Sequence, residues 1–374
     1  PQQPRFENDS ATDRPLRIGY LSGDFRQHAV MRFFEPLLAA HDRGRFHITL
    51  YANVNREDEV SHRARALADA WVPTVAMTDD ELADRIRADR IDIAIDLAGH
   101  SAANRLPALA RRPAPVQMSY LGYPNTTGMS AVDYVITDTD LDPPGSEQWH
   151  TERLIRLDRT MHAYLPPADA PAIASAPPGA PVRFGSFNRI EKLSDTSVRA
   201  WSAALVAVPE SSLTIKSPGL ADEQTRRLLL DRFAAHGVAG ERIRLLGRDR
   251  DEVEHLARYG EIDIALDSYP YNGTTTTCEA LWMGAPVVTL QGPTRVARTT
   301  AGILRAIGLA ELIATGTEQF AQIAAELARD RGRLAELRRS MRARMTASPL
   351  LDGIDLARRI EAALRRAWEA RTSM

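Results

Sequence analysis

The chain has 374 residues, with 47 Lys+Arg against 49 Asp+Glu and a formal net charge of −2, enough length for two or three domains with large apolar cores. The near-neutral balance argues against a general nucleic-acid binder, and the single cysteine, Cys278, excludes an intrachain disulfide framework and a cysteine-based zinc cluster. No apolar run approaches the roughly 18 residues that would span a bilayer. Residues 1–14 read as a polar, disordered or extended leader without the apolar core of a signal peptide, so a cytoplasmic setting is expected. The first residue is Pro1 rather than Met, and the chain is expected to be a piece of a longer one. Only Lys192 and Lys216 are lysines among the basic residues, a usage expected of a GC-rich bacterial genome. Where arginine is the default cation, a lysine marks either chance survival or a place that needs a compact point charge.

Short β-rich runs alternate with longer helical patterns, the pattern of parallel sheets with helical crossovers. In the first half the strand runs are 16–21, 47–52, 91–97, 116–120 and 134–137, with helices over 30–41, 59–70 and 79–89. The Pro- and Ala-rich stretch 166–181 reads as a linker. Strand runs resume at 183–187, 212–217, 243–246, 263–266 and 286–290, separated by helices over 196–208, 222–236, 250–259 and 276–283. Thr317 is the expected N-cap of a helix reaching Met345. A last helix near 353–370 places Leu356, Ile360, Ala363, Leu364, Ala367 and Trp368 on one face, which packs either on its own domain or back on the first. The expected division is a domain over 15–165, the linker, a domain over 182–347 and a C-terminal segment over 348–374. Two open sheets of this kind imply a cleft.

Neither a P-loop nor a G-x-G-x-x-G turn is present. Open α/β sheets bind ligands at the carboxyl ends of their strands, so the residues after each strand are the candidates. Asp24 and His28 follow the first strand, His100 the third, and Gly122 and Pro124 lie in LGYPNTTG after the fourth. In the second half Lys192 and Lys216 follow strands, and DSYPYNGTTTTCEALWMG follows the run 263–266. There Thr274, Thr275, Thr276 and Thr277 lead from a Gly-containing turn into a helix, whose free N–H groups suit a phosphate. The alternative is N-capping, since Thr276-x-x-Glu279 is a formal capping box. If a nucleotide sits there, Glu279 is free to accept from ribose hydroxyls. Lys192 is either a cation for a departing diphosphate or a solvated surface lysine, and Lys216 invites the same pair of readings with more weight on the solvated one. His28 and His100 are either acid–base groups or structural, and His255 lies in a helical pattern whose plain reading is an exposed face. The run Asp138-Thr139-Asp140 reads as a turn, and no metal is expected.

The stretches LRIGYLSGDFRQH (16–28), RPAPVQMSYLGYPNTTG (112–128), FGSFNRIEKL (184–193), DIALDSYPYNGTTTTCEALWMGAPVVT (263–289) and SPLLDG (348–353) resemble the catalytic region of the O-GlcNAc transferase/SPINDLY family, glycosyltransferase family 41. The resemblance implies a GT-B fold: two Rossmann-like domains across a cleft, the C-terminal helix returning to the first. It implies metal-independent, inverting transfer of a sugar from a nucleotide diphosphate to Ser or Thr of a protein, with no cofactor. By the same resemblance His28 is an active-site residue, Gly122 and Pro124 lie near the sugar, and Lys192 is on the diphosphate. His255 is placed near the base, Thr275 and Thr276 on the phosphates, and Glu279 on the ribose. Thr274 stands where animal O-GlcNAc transferases have a histidine, which leans toward the SPINDLY branch. UDP-GlcNAc is the first donor, as the commoner activity of the family, and GDP-fucose, used by plant SPINDLY proteins, the alternative. Upstream TPR repeats that hold the protein acceptor are usual in the family and are not in this chain. The rival readings are a GT-B enzyme acting on a small molecule, an epimerase among them, and a nucleotide-binding scaffold without activity.

Overall fold

The computed structural model describes residues 6–174 and 179–373. The expected leader (1–14) and linker (166–181) therefore fall partly outside the described residues. In chain order the strands and helices are β1 (Leu16–Ser22), α1 (Met31–Ala40), β2 (Phe46–Ala52), α2 (Glu59–Ala66), β3 (Ala70–Pro73), α3 (Asp79–Ala88), β4 (Ile93–Asp96), α4 (Leu106–Leu109), β5 (Val116–Ser119), β6 (Tyr134–Asp138) and β7 (Arg153–Leu157). They continue as β8 (Arg183–Ser186), α5 (Asp195–Ala207), β9 (Ser212–Lys216), α6 (Glu223–Ala234), β10 (Ile243–Leu246), α7 (Glu252–Ala257), β11 (Ile264–Leu266), α8 (Thr275–Trp282), β12 (Val287–Leu290), α9 (Thr299–Ala306), β13 (Ile313–Ala314), α10 (Thr317–Arg329), α11 (Arg331–Thr346) and α12 (Gly353–Thr372).

The chain divides into two compact units, one reaching Leu165 and resuming at Leu351, the other running from Pro166 to Leu350. The first holds a seven-stranded sheet in the order β3-β2-β1-β4-β5-β6-β7, the second a six-stranded sheet in the order β10-β9-β8-β11-β12-β13. Every neighbouring pair is parallel. These are doubly wound α/β sheets, and each reverses its winding at one place: between β1 and β4 in the first, between β8 and β11 in the second. Strand order thus selects the loops after β1, β4, β8 and β11 as the places where backbone diverges and a ligand fits.

The α/β class read from the sequence holds, and so does the return of the C-terminal helix to the first unit. The stripe Leu356, Ile360, Ala363, Leu364, Ala367 and Trp368 is buried in one cluster with Leu16, Ile18, Phe34, Ile48 and Ile93. Each fully buried Leu or Ile of that stripe contributes about 1.5–3 kcal/mol. A polar chain runs through the same interface. Tyr20 Oη lies 2.9 Å from His41 Nε2, and His41 Nδ1 lies 2.9 Å from Glu361 on α12. Burial is the main influence on His41 and lowers its pKa, against the pull of Glu361.

Several expected boundaries move. The helix expected over 59–70 ends at Ala66, and Ala70–Pro73 forms the edge strand β3 instead. Asp69 causes this: its backbone N–H bonds to the Ile48 carbonyl and its carboxylate accepts the Ile48 N–H, so the chain is pinned to β2 there. The helix expected from Thr317 to Met345 is two, because Asp330 leaves helical geometry and its carboxylate caps α11 at the Arg333 N–H; Gly316, not Thr317, is the N-cap of the first. Strands β3, β7 and β13 were not expected. Of the Pro- and Ala-rich linker, residues 166–174 and 179–181 belong to the second unit. Its Pro171 and Ala174 carbonyls accept from Arg342 and Arg338.

Candidate functional site

In the second unit the chain leaves β11 at Asp267 and makes a tight loop into α8, crossing a cis Tyr269–Pro270 peptide. Asp267 is buried and organises this loop: Oδ1 accepts the Gly273 N–H at 2.8 Å and an Asn188 Nδ2–H at 3.2 Å, while Oδ2 accepts the Thr289 hydroxyl at 2.8 Å. Asn272 is also buried and donates to the Ser268 carbonyl at 2.8 Å. Gly273 is forced by space, since a Cβ there would lie 2.6 Å from Thr277 Oγ1 and 2.7 Å from Thr276 Oγ1. The first intrahelical bond of α8 runs from the Cys278 N–H to the Thr274 carbonyl, so the amides of Thr275, Thr276 and Thr277 have no acceptor within the helix. The formal capping box does not form. Helix α8 starts at Thr275, its N-cap Thr274 makes no side-chain cap, and the Thr276 hydroxyl instead donates to Asn188 Oδ1 at 2.7 Å. Thr277 faces inward, 2.9 Å from the Thr300 hydroxyl.

Lys192, in the short turn after β8, reaches this loop. Its Nζ donates to the Asn272 carbonyl at 3.0 Å and sits 4.1 Å from the centre of the Tyr271 ring. Burial lowers its pKa to about 8, Asp267 pulling it up and Arg189 adding to the depression. The group is an ammonium short of a full counter-charge on the loop that leads into α8, an arrangement that suits a dianionic ligand.

The reading of Lys216 as a solvated lysine is corrected: it is 8% exposed at the end of β9, 2.7 Å from Asp249 Oδ2 and 2.6 Å from His255 Nδ1. His255 is not on an exposed helix face either, for its Nε2 lies 3.0 Å from Glu279 Oε2 and its ring packs on Phe187 and Tyr259. Glu279 is thereby drawn away from the helix start toward α7.

In the first unit, Asp24 and His28 follow β1. His28 Nδ1 lies 3.4 Å from Asp24 Oδ2 and 3.3 Å from the Val30 N–H. Burial lowers the His28 pKa, Asp24 opposing and Arg26 reinforcing, which favours the neutral ring that a proton acceptor requires. After β4, Asp96 accepts the Gly99 and Ala98 amides, and burial pushes its carboxyl up to about 6. His100 donates from Nε2 to the Thr127 carbonyl at 2.7 Å, and Thr127 donates in turn to the buried Glu152. The loop with Gly122 and Pro124 is therefore clamped on both sides. Gly122 is irreplaceable by geometry, because a Cβ would fall 1.8 Å from the Leu97 carbonyl oxygen. Gly122→Ala is expected to cost on the order of 2–4 kcal/mol through forced backbone displacement, read as a lower urea midpoint with the slope unchanged.

With this geometry in place, the comparisons with known proteins decide the family. The family model for glycosyl transferase family 41 matches residues 2–164 and 175–360. The chain belongs to that family. This family 41 chain is 37% identical over 98% of its length to a SPINDLY protein of Solanum lycopersicum, described as a probable UDP-N-acetylglucosamine–peptide N-acetylglucosaminyltransferase, and 36% identical over 99% to that of Arabidopsis thaliana. It spans about 40% of the length of these curated relatives. Among solved structures, an O-GlcNAc transferase mutant of Thermobaculum terrenum superposes with a TM-score of 0.93 at 41% identity, covering 100% of this chain and 71% of the other. Sucrose-phosphate synthase of Thermosynechococcus elongatus, at a TM-score of 0.59 and 15% identity, shares the fold alone. The architecture is GT-B, as the sequence resemblance implied.

Within the second unit of the family 41 chain, Lys192, Thr274, Thr275 and Thr276 meet at one loop, and Lys216, His255 and Glu279 form a second cluster joined to it through α8. Within the first unit, Asp24, His28, His100, Gly122 and Pro124 share the ends of β1, β4 and β5. Sequence reasoning did not select Asp267, Asn188, Asp249, Tyr259 or Glu152 as site residues. Asp267 and Asn188 each follow a strand at the winding reversal, a signal that topology supplies; Asp249 and Glu152 sit in polar loops that no local pattern separates from others.

Proposed function

We propose that this chain is the catalytic region of a protein O-glycosyltransferase that moves a sugar from a nucleoside diphosphate sugar to Ser or Thr of a protein, UDP-GlcNAc being the first donor. The observation that carries the reading is Lys192 Nζ bonded to the Asn272 carbonyl, on the loop that runs three residues later into α8. The acceptor hydroxyl attacks the anomeric carbon as the bond from that carbon to the β-phosphate oxygen breaks, with inversion. The bonding pair leaves on the nucleoside diphosphate, whose negative charge the Lys192 ammonium and the amides of Thr275 and Thr276 stabilise. The hydroxyl proton passes to a base, His28 in this reading, whose ring is biased toward its neutral form. In the same reading His255 faces the nucleobase and Glu279 the ribose. The fixed cation and helix dipole supply the charge neutralisation that a divalent ion provides in other transferases, so transfer is expected to proceed unchanged in excess chelator.

GDP-fucose is the second reading, favoured by Thr274 at the position where animal O-GlcNAc transferases carry histidine. The test is transfer and donor hydrolysis with both nucleotide sugars, with an acceptor-peptide library and with chelator. Sugar on Ser or Thr from either donor supports the reading. Turnover without any protein acceptor would point to small-molecule chemistry, nucleotide binding without sugar release to a scaffold.

A further inference from the structure

The second cluster has a directionality that the nucleotide-sugar reading does not use. Lys216 Nζ touches two groups at short range, Asp249 Oδ2 at 2.7 Å and His255 Nδ1 at 2.6 Å, and lies 5.6 Å from the Phe187 ring centre. Arg258 holds the other Asp249 oxygen at 3.1 Å. Burial raises the Asp249 carboxyl, but the hydrogen bonds from Lys216 and Arg258 outweigh it and leave it below the usual range. Asp249 is thus a fixed anion, and Lys216 beside it is an ammonium. An ammonium only donates, so His255 Nδ1 must present a lone pair. The ring proton then resides on Nε2, where it points at Glu279 Oε2, 3.0 Å away. Tyr259 Oη approaches the same oxygen at 3.4 Å. Glu279 Oε1 has no protein partner among the described residues.

We propose that Lys216 and Asp249 are positioning residues that lock His255 as the Nε2–H tautomer, so that Glu279 is held off the helix start with one oxygen reserved for a ribose hydroxyl. The pair thereby makes the site selective for ribonucleotides over 2′-deoxyribonucleotides. The proposal rests on the nucleotide-sugar reading and extends it to residues that touch neither the phosphates nor the sugar. Without the ammonium, the His255 ring is free to take the other tautomer or to swing, and the carboxylate loses its oriented donor. Removal of Lys216 leaves Asp249 still paired with Arg258, so the variant keeps a partner for its buried carboxylate.

Two measurements on the whole chain test this. Nitrogen-15 NMR of the imidazoles reads the His255 tautomer without any ligand: Nε2–H in the wild type and in Lys216→Arg, a mixture or the Nδ1–H form in Lys216→Met. Competition binding of UDP against 2′-deoxy-UDP, and of GDP against 2′-deoxy-GDP, reads the consequence. The wild type is expected to prefer the ribonucleotide about tenfold or more, the strength of one hydrogen bond to a charged group. Lys216→Met should lose most of that preference, raising the donor KM with little change in kcat, and Lys216→Arg should restore it. An unchanged tautomer in Lys216→Met, or an unchanged ribose preference, would overturn the proposal. If no nucleotide bound the wild type at all, the functional reading itself would fall and this extension with it, even with the tautomer locked as described.

Discussion

Replacing Lys192 with methionine is expected to abolish sugar transfer while making the protein more stable. Loss of one preorganised cation or donor at a leaving group lowers turnover by about a hundred- to a thousandfold, and in the proposed function the same group also binds the diphosphate. The stability gain follows from the depressed pKa. The ammonium is less favourable in the folded chain, where the group titrates at about 8, than in the unfolded chain, with its ordinary value of 10.5. Between those values the unfolded chain binds more protons, so stability rises with pH across that window. Below about pH 8 the folded chain bears the full cost, on the order of 3 kcal/mol by linkage. Lys192→Met removes it, and urea denaturation at pH 7 should show a higher midpoint. Activity lost together with stability would instead mark Lys192 as a structural residue.

The second large effect is expected at Asp267. Asp267→Ala strips the acceptor from the Gly273 N–H, the Asn188 amide and the Thr289 hydroxyl in a buried setting. Unsatisfied buried donors cost about 1–3 kcal/mol each, so a loss on the order of 3–5 kcal/mol is expected after partial relaxation. The same change releases the turn that aims the α8 amides and removes the anion that pulls the Lys192 pKa up. Nucleotide affinity should therefore fall even under conditions where the variant is fully folded, as judged by circular dichroism. A destabilised variant with normal nucleotide affinity would separate Asp267 from the site.

Much of this was legible in the sequence because it is written in local pattern. The alternation of β-rich and helical runs gave the two parallel sheets, and the apolar stripe of the last helix identified the face that packs on the first unit. The Gly-Thr run and the lysine pair stood out by composition against an arginine-rich background. What was not legible depends on partners far along the chain. Asp330 looks like any helical residue until it is seen capping α11, and Asp69 until it is seen bonded to Ile48. Lys216 carried the weaker reading because burial is a tertiary fact: its partners Asp249 and His255 lie on the segments between β10 and β11. The capping box was a sound local expectation, defeated because Asn188 takes the Thr276 hydroxyl and His255 takes the Glu279 carboxylate.

The most direct test of the central claim is calorimetric titration of UDP and GDP into the wild-type chain and Lys192→Met at pH 7 and pH 9. Binding of a diphosphate favours the charged lysine, so affinity should weaken as pH rises through about 8, with proton uptake on binding near that pH. The account predicts one saturable site for at least one of the two nucleotides, with that pH dependence, and its loss in Lys192→Met. Failure of both nucleotides to bind, or equal and pH-independent binding by the wild type and the variant, would contradict it.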